Sequence, residues 1–221
     1  MSVSSRPAPA PGFDSPILVR TLAALDGVES APSPQTAAER LSQWLDWTDA
    51  IALSAALGPA EPAARPSAMP RARVALAIEN ARRAKIGLAS GIAADSVFAE
   101  SPADRDRCRA SYRAHQHELA TCVLSTRAAL RTALAAQSPE GAQLAALDAV
   151  LERALAGHER RLLASVPTLL GRHLARTRQD TRDDPAEGTV WQRALLAELH
   201  TRWQPVEGLI ESLGPQPATP P

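Results

Sequence analysis

Three histidines are the side chains of this sequence best suited to binding a metal. His115 and His117 fall in one predicted helix and His158 in the next. If the two helices fold back on each other about Gln137-Ser138, His158 faces His117, and three imidazoles near one level could hold a divalent cation. No carboxylate or thiolate is placed to complete that site, and His115 and His158 occupy positions typical of hydrogen-bonded core histidines. We therefore predict no metal, cofactor or catalytic residue, and keep the histidines as an alternative.

The motifs of common enzyme classes do not occur in the sequence. It has no glycine-rich phosphate loop, no nucleophile elbow, no paired-cysteine zinc motif and no helical zinc-protease signature. Cys108 and Cys122 would lie about 21 Å apart on one helix, too far for a disulfide. We predict that the protein is not an enzyme.

Four arginines form a candidate interaction surface. The same fold-back places Arg105 and Arg109 beside Arg172 and Arg176. A guanidinium group offers carboxylates and phosphates a planar fork of donors, so a phosphate-bearing ligand or an acidic partner could bind there. Aspartates flank both segments, and a solvated network of salt bridges is the simpler interpretation.

Two tryptophans lie three residues apart in a helix predicted for residues 36–57. Apolar residues of this helix follow the three–four spacing of a buried stripe. We expect Trp44 in the core and Trp47 at its border. If Trp47 is exposed instead, it is a candidate anchor for a protein partner. The predicted stripe consists of Leu41, Trp44, Leu45, Thr48, Ile51, Ala52 and Ala55.

Long alanine-rich helices must position these residues. The chain contains 45 alanines among 221 residues, and alanine has the highest helix propensity but buries little surface. Start signals at Ser101-Pro102 and Ser138-Pro139 predict two long helices. Because the connection at Gln137-Ser138 is short, these helices are predicted to be antiparallel neighbours. Pro167 is predicted to kink the second helix near Leu163.

Apolar positions on the two long helices predict a coiled-coil-like seam. On the first helix they are Cys108, Tyr112, His115, Leu119, Cys122, Thr126, Leu130 and Ala133. On the second they are Leu144, Leu147, Leu151, Leu155, His158, Leu162, Val166 and Leu169. The predicted fold class is all-α, an elongated helical bundle built on a long antiparallel helical hairpin.

A single helical domain, residues 15–213, is predicted between two proline-rich tails. Residues 1–14 and 214–221 are expected to be disordered. Four shorter helical pieces should pack along the hairpin. They begin near Ile17, Thr36, Arg71 and Thr189; the third stops at Gly91 and the last bends at Gln204-Pro205. We recognise no signal peptide and no membrane-spanning run, so we predict a cytoplasmic protein without membrane insertion.

Charge is distributed unevenly although the net charge is zero. Residues 1–64 carry a net −4, residues 65–182 a net +8 and residues 183–221 a net −4. A basic middle can mark a surface for nucleic acid or another polyanion. We favour acidic end helices packed beside a basic central hairpin, because nucleic-acid-binding domains are usually basic overall.

Three parts of the sequence resemble a bacterial all-helical family classed as a domain of unknown function. They are residues 40–57, with a Trp-Leu-Asp-Trp-Thr-Asp core, residues 144–150 with 159–163, and residues 195–199 with 204–209. The resemblance spans nearly the whole predicted domain. It brings no assigned activity, cofactor or catalytic residue. It does imply an accessory role beside a membrane-associated complex.

These observations favour a non-enzymatic protein-interaction or scaffold protein. We expect its partner to be another protein, with homo-oligomerisation as a further option. Nucleic-acid or polyanion binding through the basic central hairpin is the alternative. The candidate interaction surface consists of Trp47, Arg105, Arg109, Arg172 and Arg176.

Overall fold

Helices make up most of the chain that the structure describes. The computed structural model describes residues 17–26, 37–58, 69–100, 104–180 and 187–214. Within these ranges there are eight helices and no strand, which confirms the all-α prediction. The helices are α1 Ile17–Asp26, α2 Ala37–Trp44, α3 Trp47–Leu57, α4 Arg71–Ala93, α5 Ser96–Glu100, α6 Arg105–Ala135, α7 Pro139–Asp180 and α8 Glu187–Leu213. The predicted disordered tails lie outside the described residues, apart from Gly214.

A tight turn joins the two longest helices, α6 and α7. Ser138 caps α7, because its hydroxyl accepts a hydrogen bond from the backbone N–H of Gly141 (3.0 Å). Gly141 lies so close to the backbone carbonyl of Leu134 that a Cβ would not fit there. At its other end α6 begins after Asp104, whose carboxylate accepts a backbone N–H of the first helical turn (3.0 Å). The cap of α6 is therefore Asp104, three residues after the predicted start signal.

Side-chain contacts pair α6 and α7 in opposite order along the chain. Near the turn, Arg127 binds Asp148 (2.7 Å). Further from the turn, the side-chain amide of Gln116 donates to the carbonyl of Leu163 (2.9 Å). Because an earlier residue of α6 meets a later residue of α7, the two helices run antiparallel between these contacts.

Helix α6 is the central element of the fold, because α8 packs along it as extensively as α7 does. The sequence predicts α8 as a shorter helix followed by a bend and a final turn. Instead, α8 is one helix of 27 residues that continues through Pro205. Trp203, Val206 and Leu209, on both sides of the proline, are buried, and this packing offsets the backbone hydrogen bond that proline cannot make. Helix α7 likewise continues through Pro167.

The seam predicted for α6 is largely buried. Its positions Cys108, Tyr112, Leu119, Leu130 and Ala133 are in the core, whereas the remaining three are half-buried. The largest fully buried side chains are two tryptophans of α8, Trp191 and Trp203. The core therefore lies between α6 and α8 as much as within the hairpin.

Helix α4 differs from the sequence prediction in its end and its inner side. It continues through Gly91 to Ala93. The spacing of Val74, Ile78, Ala81 and Ile86 predicts an inner side that contains all four residues, but Ile86 is 66% exposed. The buried positions Val74, Ala81 and Leu88 recur every seven residues, and that repeat places Ile86 on another side of the helix.

Two contacts connect the helices around α8. Lys85 of α4 forms an ion pair with Glu207 of α8. The short helix α5 buries Phe98. At the start of α8, Gly188 packs directly on the backbone carbonyl of Phe98, where a Cβ would not fit.

The helix predicted for residues 36–57 is two helices. Helix α2 ends at Trp44 and Asp46 caps α3. The carboxylate of Asp46 accepts the backbone N–H of Asp49 (2.8 Å), and the carboxylate of Asp49 accepts the backbone N–H of Asp46 (3.4 Å). This reciprocal capping box starts a new helix at Trp47 instead of continuing the first.

Candidate interaction surface

Helix α3 presents apolar side chains to solvent. It carries Trp47, Ile51 and Leu57 and has no buried residue. Trp47 is 81% exposed and Ile51 is 54% exposed. The prediction that Ile51 belongs to a buried stripe is therefore wrong, because the break before α3 ends the continuous helix on which that stripe depends.

Trp44 lies at the edge of the bundle, where α2 meets α7. The prediction that it belongs to the core is wrong, since it is 39% exposed. Its ring stacks on His158, with ring centroids 4.2 Å apart. At the other end of α3, the side-chain amide of Gln143 donates to the carbonyl of Gly58 (3.1 Å). These contacts place α3 antiparallel along residues 143–158 of α7.

After residue 158, where the contact with α3 ends, the same side of α7 is exposed in the part of the chain that the structure describes. Five residues follow at steps of three or four, which keeps them on one side of a helix. They are Leu162, Ser165, Leu169, Arg172 and Arg176, all exposed, and we call them the α7 strip. The α7 strip and the three apolar residues of α3 (Trp47, Ile51 and Leu57) form what we call the α3–α7 surface.

The α7 strip corrects the predicted seam of this helix. Leu162 is 56% exposed and Leu169 is exposed too, although both positions are predicted to be buried. Val166 is buried as predicted, and Leu163 and Leu170 are buried in place of the two leucines. Two apolar tracks run side by side along α7. In the second half of the helix, the track through Leu163 and Leu170 packs on the bundle, and the track through Leu162 and Leu169 is exposed.

The four predicted arginines have different surroundings. Arg105 donates to the carbonyl of Leu174 (3.4 Å), so the start of α6 does lie beside the end of α7. Arg109 forms an ion pair with Asp106 of its own helix. Arg105 and Arg109 are half-buried, whereas the two arginines of the α7 strip are exposed.

The three histidines do not share their neighbours. His115 Nε2 lies 2.9 Å from Asp95 Oδ2. His158 stacks on Trp44, and His117 is exposed. Among the described residues, no three His, Cys, Asp or Glu side chains are grouped so that they could hold a metal ion. The contacts of these imidazoles therefore give no support to the alternative of a shared metal site.

Asp95 stabilises the start of α5 and its attachment to α6. Its Oδ1 accepts the backbone N–H of Val97 (2.9 Å), and its Oδ2 accepts hydrogen bonds from Ser111 and His115. Burial raises the pKa of Asp95, but these hydrogen bonds outweigh it and lower the pKa below its usual range. Ser111 bonds to the carboxylate and not to His115, so the order of contacts differs from the serine–histidine–carboxylate chain of a catalytic triad.

A fully buried carboxylate, Glu198, lies between the three long helices. It accepts hydrogen bonds from the Tyr112 hydroxyl (3.1 Å), the Gln116 amide (2.9 Å) and the Arg202 guanidinium (2.9 Å). Burial raises the pKa of Glu198, and the charge of Arg202 opposes that rise. Gln116 also bonds to the carbonyl of Leu163, so the network joins α6, α7 and α8. Since Glu198 and Tyr112 are 0% exposed, a substrate does not reach them, and we interpret the network as structural.

A second ionic cluster joins α6 to α7 near their turn. Arg127 and Arg131 each bind Asp148, at 2.7 and 2.9 Å. Each also binds Glu152, at 3.2 and 3.0 Å. Two of the residues that make the middle of the chain basic are thus neutralised inside the fold.

Comparison with known proteins assigns the chain to a family. A family described as "Protein of unknown function (DUF3348)" has a sequence model that matches residues 5–215. The chain belongs to the DUF3348 family. This confirms the predicted membership of a family of unknown function. No curated protein and no solved structure matches the chain.

Two further features of this DUF3348 chain bear on candidate sites. Within the described ranges, no helix has an apolar run long enough to cross a bilayer. A groove of about 1110 Å³ lies at the turn end of the hairpin, lined by residues that include Met69, Val74, Leu134, Leu144 and Leu213. The chain continues from both Met69 and Gly214 into residues outside the described ranges, so we assign no site to this groove.

Proposed function

We propose that this DUF3348 protein is a non-enzymatic interaction or scaffold protein that binds a protein partner through the α3–α7 surface. The observation that carries the proposal is helix α3, which bears a tryptophan, an isoleucine and a leucine and buries none of its 11 residues. Trp47 and Ile51 lie one turn apart on this helix, and adjoining apolar side chains left in water commonly mark protein-binding sites. Tryptophan is also among the residues that contribute most to binding energy when a partner covers them.

Charged residues around these apolar side chains support a specific protein contact. Asp46 and Asp49 lie at the start of α3, and Arg161 and Arg172 lie exposed on α7. A polar rim around an apolar centre is the usual composition of a protein interface. The charges of such a rim orient the partner more than they add affinity.

We further propose a cytoplasmic location, with any role beside a membrane-associated complex exerted through the bound protein. The family resemblance of residues 40–57 and the two later segments supports the role beside a membrane-associated complex. In this arrangement, the partner bound at the α3–α7 surface is the protein that contacts the complex.

Affinity capture followed by quantitative mass spectrometry tests the proposed function. Trp47→Glu should reduce recovery of the partner at least about tenfold, because it removes an anchor and places a charge in the interface. Ile86→Glu is the control, since Ile86 is exposed on α4 and lies outside the surface. Recovery of the same proteins by Trp47→Glu and wild type, or of none by wild type, would contradict the proposal.

Polyanion binding remains the alternative, because several arginines of α7 are exposed. Arg153, Arg160, Arg161 and Arg172 lie on that helix. The pairing of Arg127 and Arg131 with carboxylates weakens this alternative. A gel shift with DNA at low salt separates the two functions, because a polyanion binder retards the DNA and releases it as salt increases.

A further inference from the structure

We infer that a second copy of this chain occupies the α3–α7 surface, in a two-fold symmetric dimer in which α3 of each subunit covers the α7 strip of the other. The inference rests on the proposed function of this surface and names its partner. It follows from the shape, the apolar positions and the charges of the two halves of α7.

The two halves of α7 are complementary in shape. Helix α3 covers residues 143–158 of α7. The same side of α7 is exposed at residues 162–176. At a rise of about 1.5 Å per residue, α3 is about 16 Å long and the α7 strip about 21 Å. A two-fold axis across α7 near its residue 160 would bring the covered half of one subunit onto the exposed half of the other.

The same axis aligns the apolar side chains. The contacts of Trp44 with His158 and of Gly58 with Gln143 fix where each residue of α3 lies along α7. Ile51 lies beside about residue 151 of its own α7, which the axis places opposite Leu169 of the partner copy. Trp47, one turn earlier, falls between the partner copy's Leu162 and Leu169.

The charges of the two elements are also complementary. Helix α3 and its cap contain Asp46 and Asp49 and no basic residue. Residues 161–176 of α7 contain three arginines and no acidic residue. With this axis, the acidic start of α3 lies near Arg161 of the other copy. The carbonyl end of α3, which carries partial negative charge, lies near Arg172.

The size of the surface is that of a small dimer contact. An isologous contact uses each element twice, once from each subunit. Stable complexes of standard size bury about 800 Å² on each partner, contributed by about 20–30 residues a side. Helix α3 with its cap has 12 residues and the α7 strip has five, so the contact lies below that range. The chain has a net charge of zero, so long-range repulsion does not oppose association.

Sedimentation velocity of the purified full chain tests the dimer. Wild type should sediment as a dimer, and Ile51→Glu and Leu169→Glu should each raise the dissociation constant by about 100-fold or more. Each substitution places a charge without a partner in the contact, and the symmetry repeats it. Ile86→Glu is the matched control, because it changes the same residue type at an exposed position of α4 and should leave the dimer intact. Circular dichroism checks that each variant is folded.

A cross-link tests the register. In a background with Cys122→Ser, the variant Ile51→Cys/Leu169→Cys should form a disulfide-linked dimer on a non-reducing gel. Within one subunit the two positions are about 27 Å apart along α7, so the bond can form only between copies. Ile86→Cys/Leu169→Cys should remain monomeric on the same gel.

The outcomes separate this inference from the proposed function. A monomeric wild type, a dimer that Ile51→Glu leaves unchanged, or the absence of the cross-link would overturn the second-copy assignment. In each of those cases the proposed function survives if capture still recovers a different protein that Trp47→Glu loses. If capture recovers neither a second copy nor another protein, both fail.

Discussion

Glu198 lies on the buried side of α8, where a carboxylate without partners would be strongly unfavourable. Its donors come from α6 and from its own helix: Tyr112, Gln116 and Arg202. Because these hydrogen bonds form only in one arrangement of the helices, the network also restricts how α6 and α8 pack. Its position is recognisable in part from the sequence. Trp191, Leu195, Glu198 and Arg202 follow three–four steps, but a Glu–Arg pair four residues apart is equally common on a solvent-facing side.

The raised pKa of Glu198 predicts that stability declines as pH increases. Because the pKa of Glu198 is higher in the folded chain than in the unfolded chain, the folded chain binds this proton more tightly. The contribution of Glu198 is therefore fully present below the unfolded pKa and is lost as pH rises through the folded pKa. Urea unfolding at a series of pH values should give a flatter profile for Glu198→Gln than for wild type. Glu159→Gln, at a more exposed carboxyl that also approaches Arg202, should keep the wild-type slope.

Helix α3 illustrates what decides the exposure of an apolar element. The pattern of residues 36–57 predicts one helix with one buried stripe of seven residues. The capping box at Asp46 and Asp49 overrides that pattern, although its Asp-x-x-Asp spacing is visible in the sequence. For α7 the sequence offers two apolar tracks, one through Leu162 and Leu169 and one through Leu163 and Leu170. Which track is buried depends on the neighbouring helix, and periodicity alone does not reveal it.

Loss of the cap should destabilise α3. We expect Asp46→Ala to lower the free energy of unfolding by about 1 kcal/mol, because it leaves a backbone N–H of the first turn without its acceptor. Urea unfolding followed by circular dichroism measures the change. Thr48→Ala, at an exposed position between the two capping aspartates, changes a side chain that is not part of the capping box and should alter stability by less than about 0.5 kcal/mol. Equal effects of the two substitutions would show that the cap does not stabilise α3.

The long helices that the structure describes are arranged around α6, with α7 on one side and α8 on another. The short connection at Gln137-Ser138 was enough to predict that α6 and α7 are neighbours, because a short link leaves little alternative. The place of α8 could not be predicted in the same way. It depends on contacts of Trp191 and Trp203 with residues distant in the chain, which no local pattern encodes. Family membership was predictable from residues 40–57 and the two later segments, but it carried no site.

A pair of leucines on α6 tests this central position. Leu130 is fully buried and Leu124 is half exposed, at 50%. Leu130→Ala should lower the free energy of unfolding by about 2–5 kcal/mol, because it removes buried methyl groups and leaves a cavity. Leu124→Ala should cost less than about 0.5 kcal/mol in the same urea titration. Similar losses at both positions would mean that α6 does not have a distinct inner side.

The pairing of Lys85 with Glu207 has a practical consequence. Lys85 is the only lysine of the chain, and it connects α4 to α8. Amine-acylating reagents would therefore modify a single side chain, and the carboxylate that holds it would slow the reaction while the two helices stay together. The extent of labelling, measured by peptide mass, would thus report directly on whether α4 remains seated on the bundle.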